Sequence, residues 1–179
     1  MKMLGKYKNN NKKVFIGLYD SYATQIYRFI LFKTNSIQDA EDLTSEVFFR
    51  FWKNNNGDFD VDINNPRALL YRIASNLLVD FYRKKNKETL LAIDSDDNFL
   101  NNLTDDTDLY KRAELNSDIK HILKSIDKIK NEYQNVVIWH YLEDLSIKEI
   151  SQIMNKSQGA IRVMLHRALN NLKKEMKKN

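Results

Sequence analysis

The sequence predicts an all-α protein: two small helical domains joined by a flexible acidic linker, the C-terminal domain being a helix-turn-helix. Apolar residues recur at helical spacing in both halves of the 179-residue chain. One Pro and four Gly leave too few turn residues for an all-β fold. A stretch from about 86 to 108 lacks this periodicity and therefore separates two helical halves.

Three helices are predicted in the first domain, which covers residues 11–86. A loop at 54–64 precedes the third helix, and the approximate bounds of the helices are 12–32, 37–53 and 66–85. Asn35 or Ser36 caps the second helix. Pro66 opens the third, at a position where a missing backbone N–H loses no hydrogen bond. Each helix carries apolar residues on one side, which predicts a shared core.

Charges are grouped along the chain, although the formal net charge is only +5. Segment 88–110 contains seven acids and no base, whereas 67–87 holds six bases against one acid and 156–179 holds seven against one. We therefore predict an acidic linker over 87–111. Two basic segments on either side of an acidic one indicate a polyanionic partner that both ends of the chain attract.

The second domain is predicted over residues 112–177. It contains a helix at about 132–141 and ends in two helices that a tight turn joins. Ser146 and Glu149 have capping-box spacing at the start of the first of the two. The helical pattern breaks just before Ser157, which is placed to cap the second. This layout is typical of a helix-turn-helix, whose second helix enters the major groove of DNA.

The second of these helices has an apolar side and a polar side. Ile161, Leu165 and Ala168 lie on the apolar side, which predicts that they pack in the core. The polar side offers Gln158, Arg162, His166 and Arg167. Hydrogen-bonding groups can contact base edges and cations can contact phosphates, so this side predicts a surface that reads duplex DNA.

The third helix of the first domain also has a cationic side. The face opposite its apolar residues carries Arg72, Asn76, Val79, Asp80 and Arg83. Tyr71, Ser75 and Tyr82 line its edge, and the helix ends in Arg83, Lys84 and Lys85. Cations neutralise phosphates, and aromatic rings stack on unpaired bases at about 1–3 kcal/mol each. The combination favours single-stranded or melted DNA over an intact duplex.

Three segments resemble the extracytoplasmic-function sigma factors, a bacterial group within the sigma-70 family. Segment 39–48 (DAEDLTSEVF) is similar to the family's polymerase-binding helix, and 68–85 (ALLYRIASNLLVDFYRKK) to its promoter-melting helix. Segment 141–168 (YLEDLSIKEISQIMNKSQGAIRVMLHRA) resembles the helix-turn-helix that reads the −35 element. The three occur in the family's order and span most of the chain.

The resemblance implies a function and its partners. The protein would bind core RNA polymerase and direct it to promoter DNA, where the first domain melts the −10 element and the second reads the −35 duplex. The acidic linker would thread polymerase channels that nucleic acid otherwise occupies. An anti-sigma factor is the further partner that the family implies.

The resemblance also implies roles for individual residues. Those facing the polymerase would be Asp39, Asp42, Glu46 and Trp52. Those meeting the −10 strand would be Arg72, Asn76, Asp80, Arg83 and Lys84. Those facing −35 DNA would be Lys156, Ser157, Gln158, Arg162, His166 and Arg167. The second helix of the helix-turn-helix departs from the family pattern, because Val163 stands where a hydroxyl is usual and Met164 where a base is usual.

Two other functions are compatible with parts of the sequence. A helix-turn-helix regulator could bind duplex DNA without polymerase, although such proteins usually dimerise and no heptad seam is present. An all-α Mg²⁺-dependent nucleotide hydrolase could use the carboxylates Glu41, Asp42, Glu46 and Asp80. The hydrolase function gives no role to the helix-turn-helix.

Composition favours a cytoplasmic protein. The chain has no Cys, which excludes disulfides and zinc–thiolate sites and suits a reducing compartment. Residues 1–13 are basic and Asn-rich without an apolar core, which predicts no signal peptide. No apolar run approaches the roughly 20 residues that span a bilayer, so no membrane insertion is expected. No nucleophile arrangement or metal-ligand spacing stands out, so we expect no enzyme activity, cofactor or metal.

Overall fold

A computed structural model describes the residue ranges 2–54, 65–93, 122 and 124–177. All regular secondary structure within these ranges is helical, which confirms the predicted fold class. The chain forms two compact units, Met1–Asp105 and Asp106–Asn179. Most of the predicted loop at 54–64 and most of the predicted linker at 87–111 lie outside the described residues. The domain bounds expected from the sequence stay predictions.

Three helices pack against one another in the first unit: α1 (Lys2–Thr34), α2 (Ile37–Asn54) and α3 (Pro66–Ile93). Each contributes apolar side chains at helical spacing to a common core, and burial of this surface stabilises the unit. The fully buried members include Ile26, Phe29, Ile30, Ala40, Val47, Phe51, Leu70, Tyr71 and Ala74.

Side-chain caps set the starts of α2 and α3. The Ser36 hydroxyl accepts a hydrogen bond from the Asp39 N–H at 3.3 Å. The Asn65 carbonyl Oδ1 likewise accepts from the Ala68 N–H at 3.0 Å. Each cap satisfies a backbone N–H that has no partner within its helix, and both predicted helix starts are confirmed.

Two helices in the first unit are longer than predicted. Helix α1 begins at Lys2 rather than near 12, and α3 continues to Ile93 rather than ending near Lys85. The first residues of the predicted linker are therefore helical. Segment 86–93 (NKETLLAI) contains no Pro or Gly and is rich in strong helix formers, so nothing local stops the helix.

The second unit contains a short helix α4 (Asn131–Val137), a π-helical turn (Ile138–Leu142), then α5 (Ile147–Met154) and α6 (Gln158–Met176). The helix expected over 132–141 is thus an α-helix that widens into a π-helix. Side chains from all four elements form the core, among them Val136, Ile138, Trp139, Ile150, Ile161, Leu165 and Ala168. No helix within the described ranges combines the length and apolar character that a membrane crossing requires.

Candidate nucleic-acid and polymerase interfaces

Local hydrogen bonds fix the helix-turn-helix at both of its helix starts. Ser146 and Glu149 form the predicted capping box: the Ser146 hydroxyl accepts from the Glu149 N–H at 3.2 Å, and the Glu149 carboxylate accepts from the Ser146 N–H at 2.8 Å. Asn155 ends α5 in the left-handed conformation at φ 51°, which Asn tolerates better than most residues. The Ser157 hydroxyl accepts from the Ala160 N–H at 3.2 Å and caps α6. These contacts orient α6 relative to α5.

Helix α6 presents the predicted DNA-reading residues to solvent. Ile161, Leu165 and Ala168 are buried against the rest of the unit. The exposed residues include Lys156, Ser157, Gln158, Arg162, His166 and Arg167. All six side chains are therefore accessible, although Lys156 and Ser157 precede α6 and Gln158 and Arg167 lie on opposite sides of it.

Two further exposed residues of α6, Val163 and Asn170, were not among the site residues predicted from the sequence. Val163 is 49% exposed. The Asn170 amide Nδ2 lies 3.0 Å from His166 Nε2, so it donates to that ring nitrogen and orients the imidazole. Helical spacing was the signal that could have found both, since each lies about one turn from a residue that was chosen.

The cationic side of α3 is accessible as predicted. Arg72, Asn76, Arg83 and Lys84 are exposed, and Asp80 is half-buried. The Asp80 carboxylate lies 3.5 Å from the Arg83 guanidinium. Surface ion pairs of this kind contribute little stability.

Tyr71, one of the two tyrosines expected to stack on bases, instead packs within the first unit, so that expectation was wrong for Tyr71. Tyr71 is fully buried, and its ring centroid lies 5.5 Å from that of Phe29 in α1. The Tyr82 hydroxyl donates a hydrogen bond to the Lys33 carbonyl, which holds α3 against the end of α1. Burial of the Tyr71 ring explains its position without a nucleic acid, whereas Tyr82 is half-buried and tied to α1 through its hydroxyl.

Helix α2 carries the residues expected to face the polymerase. Asp42 is exposed, whereas Asp39 and Glu46 are half-buried at the surface. Glu46 Oε1 accepts a hydrogen bond from Arg50 Nε at 2.6 Å. Trp52 is also half-buried and meets the Phe15 ring edge-on at 4.9 Å, so part of it belongs to the packing between α1 and α2.

A shallow cavity of about 370 Å³ lies between α2 and α3. Its polar walls are formed by Lys84 and by two ion pairs, Glu46 with Arg50 and Asp80 with Arg83. The described part of the chain contains no group of three His, Cys, Asp or Glu side chains that could share a metal ion. The carboxylates of the hydrolase alternative therefore form no such cluster.

Comparison with known proteins decides between the alternatives. The chain matches Sigma-70 region 2 over residues 18–88 and Sigma-70, region 4 over residues 120–172. It belongs to the extracytoplasmic-function group of the sigma-70 family. As a member of this group, the sigma factor binds core RNA polymerase and directs promoter recognition and transcription initiation. Neither alternative function is favoured, and the family is not one of enzymes.

Curated relatives and solved structures cover the sigma factor almost from end to end. It is 27% identical to the ECF RNA polymerase sigma factor SigW of Bacillus subtilis (strain 168), over 98% of this chain and 96% of SigW. It is 28% identical to SigM of the same organism, over 87% of this chain and 91% of SigM.

Two solved structures share the fold. The sigma factor RpoE in complex with the anti-sigma factor NepR from Bartonella quintana has a TM-score of 0.67 and 21% identity, over 92% of this chain and 98% of RpoE. CnrH in complex with the cytosolic domain of CnrY has a TM-score of 0.68 and 18% identity, over 98% of this chain and 95% of CnrH.

Proposed function

We propose that the three exposed helix faces of this sigma factor divide its work, with α6 binding −35 DNA, α3 engaging the melted −10 strand and α2 docking on the polymerase. The contrast in charge between these faces carries the proposal. Helices α3 and α6 expose cations, whereas the outward side of α2 carries carboxylates that repel DNA. We assign the −10 and polymerase roles to a domain over 11–86 and the −35 role to a domain over 112–177, joined by a linker over 87–111 whose first residues continue α3.

At the −35 element, α6 lies in the major groove. Arg162 and Gln158 contact base edges, because guanidinium and amide groups form paired hydrogen bonds with them. The other contacts, from Lys156, Ser157, His166 and Arg167, hold phosphates and set the register of the helix on the duplex. The exposure of all six side chains supports this assignment.

At the −10 element, α3 contacts the separated non-template strand. Asn76 is exposed between Arg72 and Arg83 along one side of α3, so an amide that can bind a base edge lies between two cations that can bind phosphates. Lys84 adds a phosphate contact at the end of this stripe. Asp80 positions Arg83 through their ion pair, rather than touching DNA.

The acidic side of α2 contacts a basic surface of core RNA polymerase. Asp39, Asp42 and Glu46 supply the charge, which complements cations on the partner. Trp52 contributes the part of its indole that Phe15 leaves uncovered.

The remaining partners follow from the same family. An anti-sigma factor sequesters this protein; the solved structure of RpoE, which has a similar fold, is a complex with the anti-sigma factor NepR, which supports the proposal. The protein acts in the cytoplasm together with RNA polymerase. It needs no cofactor or metal of its own and catalyses no reaction.

Transcription in vitro tests the proposal directly. Core RNA polymerase, alone or mixed with the purified protein, is given a genomic library, and the transcript starts are mapped. We expect new start sites that share a −35 and a −10 motif. A protein that neither binds the core enzyme nor changes the start sites would contradict the proposal. The purified protein mixed with Mg²⁺ and nucleotides, without polymerase, should release no phosphate, as expected if it is not a nucleotide hydrolase.

A further inference from the structure

The middle of the outward face of α6 is apolar rather than charged. Val163 lies on the side of the helix opposite Ile161, Leu165 and Ala168, all of which are buried. Its side chain is nevertheless large, branched and 49% exposed. The Val163 side chain does not pack in the core, so we look for its role in a contact made by the outward face of α6.

Cations lie on both sides of Val163. Arg162 flanks it on one edge of the outward face, Arg167 flanks it on the other, and both are exposed. A helix in the major groove turns its outward face to the base edges, and cations beside that face can reach the phosphate backbone. Val163 therefore lies between Arg162, which we assign to a base edge, and Arg167, which we assign to a phosphate.

Gly159 lies one turn before Val163 on the same face. A Cβ built at Gly159 would meet a single neighbouring atom within 4 Å, the Ser157 hydroxyl oxygen at 3.9 Å, so packing in the free protein does not require a glycine. The missing side chain leaves the α6 backbone open beside Val163.

We propose that Val163 contacts the C5-methyl group of a thymine in the −35 duplex, and that Gly159 lets the helix backbone approach closely enough for this contact. The thymine methyl is the apolar group that the four bases display in the major groove, and aliphatic side chains contact it. The proposal rests on the binding of −35 DNA by α6, and it makes Val163 a specificity-determining residue.

Removing one methyl group at a time from the DNA tests the contact. The holoenzyme, reconstituted from core polymerase and the full-length sigma factor, is titrated with a promoter that it uses in vitro. Each −35 thymine is replaced in turn by deoxyuridine, which removes only the methyl group. We expect one position at which affinity falls about fourfold, the factor for burying one methylene-sized group. Val163→Ala should lower affinity by a similar factor and abolish the deoxyuridine effect.

A matched variant separates the contact from general damage. Leu169 is another aliphatic residue of α6 and is 39% exposed, so Leu169→Ala should keep the full deoxyuridine effect. No effect of deoxyuridine at any position, or an effect that survives Val163→Ala, would overturn the proposal. A holoenzyme that does not form, or has no −35 preference, would instead contradict the proposed function.

Gly159→Ala tests the close approach independently. Ala is the better helix former, and its methyl group would make an ordinary van der Waals contact with the Ser157 hydroxyl oxygen, so the variant should unfold at the same or a higher temperature. The same variant should bind the promoter at least threefold more weakly, because the added methyl group separates the backbone from the bases. Wild-type affinity in a folded Gly159→Ala variant would refute the role of Gly159.

Discussion

Removing one phosphate-binding cation from α6 should change the salt dependence of promoter binding by a calculable amount. Arg167 is exposed at the edge of the outward face, and we assign it to a phosphate. Each neutralised phosphate of a B-form duplex contributes about −0.9 to the slope of log K against log salt concentration. Arg167→Ala should therefore make the slope shallower by about 0.9, whatever the slope of the wild type.

This change in slope corresponds to a measurable difference in affinity. Between 50 and 200 mM salt, a slope contribution of about 0.9 lowers affinity about 3.5-fold. Over this range the affinity of Arg167→Ala should therefore fall about 3.5-fold less than that of the wild type. Fluorescence anisotropy of labelled promoter DNA, titrated with holoenzyme at four or more salt concentrations, measures the slope. The difference should be the same for promoters of different −35 sequence, because a phosphate contact carries no sequence information.

A charge-matched control excludes an effect of net charge alone. Lys130 is exposed at the residue before α4, outside the helix-turn-helix. Lys130→Ala removes the same charge and should leave the slope unchanged. An Arg167→Ala slope equal to that of the wild type, or a Lys130→Ala slope that falls equally, would refute the assignment of Arg167 to a phosphate.

Four other changes test separate parts of the molecule. Arg162→Ala should weaken binding by about 1–3 kcal/mol at matched salt and relax preference at one base pair, and uniform weakening across all sequences would contradict base contact. Asn76→Ala should slow open-complex formation, measured by permanganate footprinting, without changing affinity for core polymerase; equal loss of both would point to misfolding. Ser146→Ala should lower stability by about 1 kcal/mol in denaturant titration, whereas Ser146→Thr keeps the cap. Tyr71→Ala should lower stability by about 3–5 kcal/mol in denaturant titration, because it leaves a cavity beside Phe29, and unchanged stability would contradict the burial of Tyr71.

Helix starts were predictable because their signals are local. The caps at Ser36, Ser146 and Ser157 each join a side chain to a backbone N–H three residues later, as their sequence spacing indicates. The end of α3 was not predictable in this way. Residues 86–93 contain no Gly or Pro, so the sequence has no local stop signal there, and the helix continues to Ile93.

The sequence by itself determined the fold class, the helix-turn-helix and the family, since these follow from helical periodicity, caps and motif order along one chain. Only the tertiary structure decided which borderline side chains remain accessible. A helical pattern fixes where Tyr71 lies around α3 but not that Phe29 of α1 covers it. The same limit applied to Tyr82, whose hydroxyl reaches the end of α1. Burial depends on neighbours distant in sequence, so the faces that can meet DNA or polymerase emerge only once the helices pack.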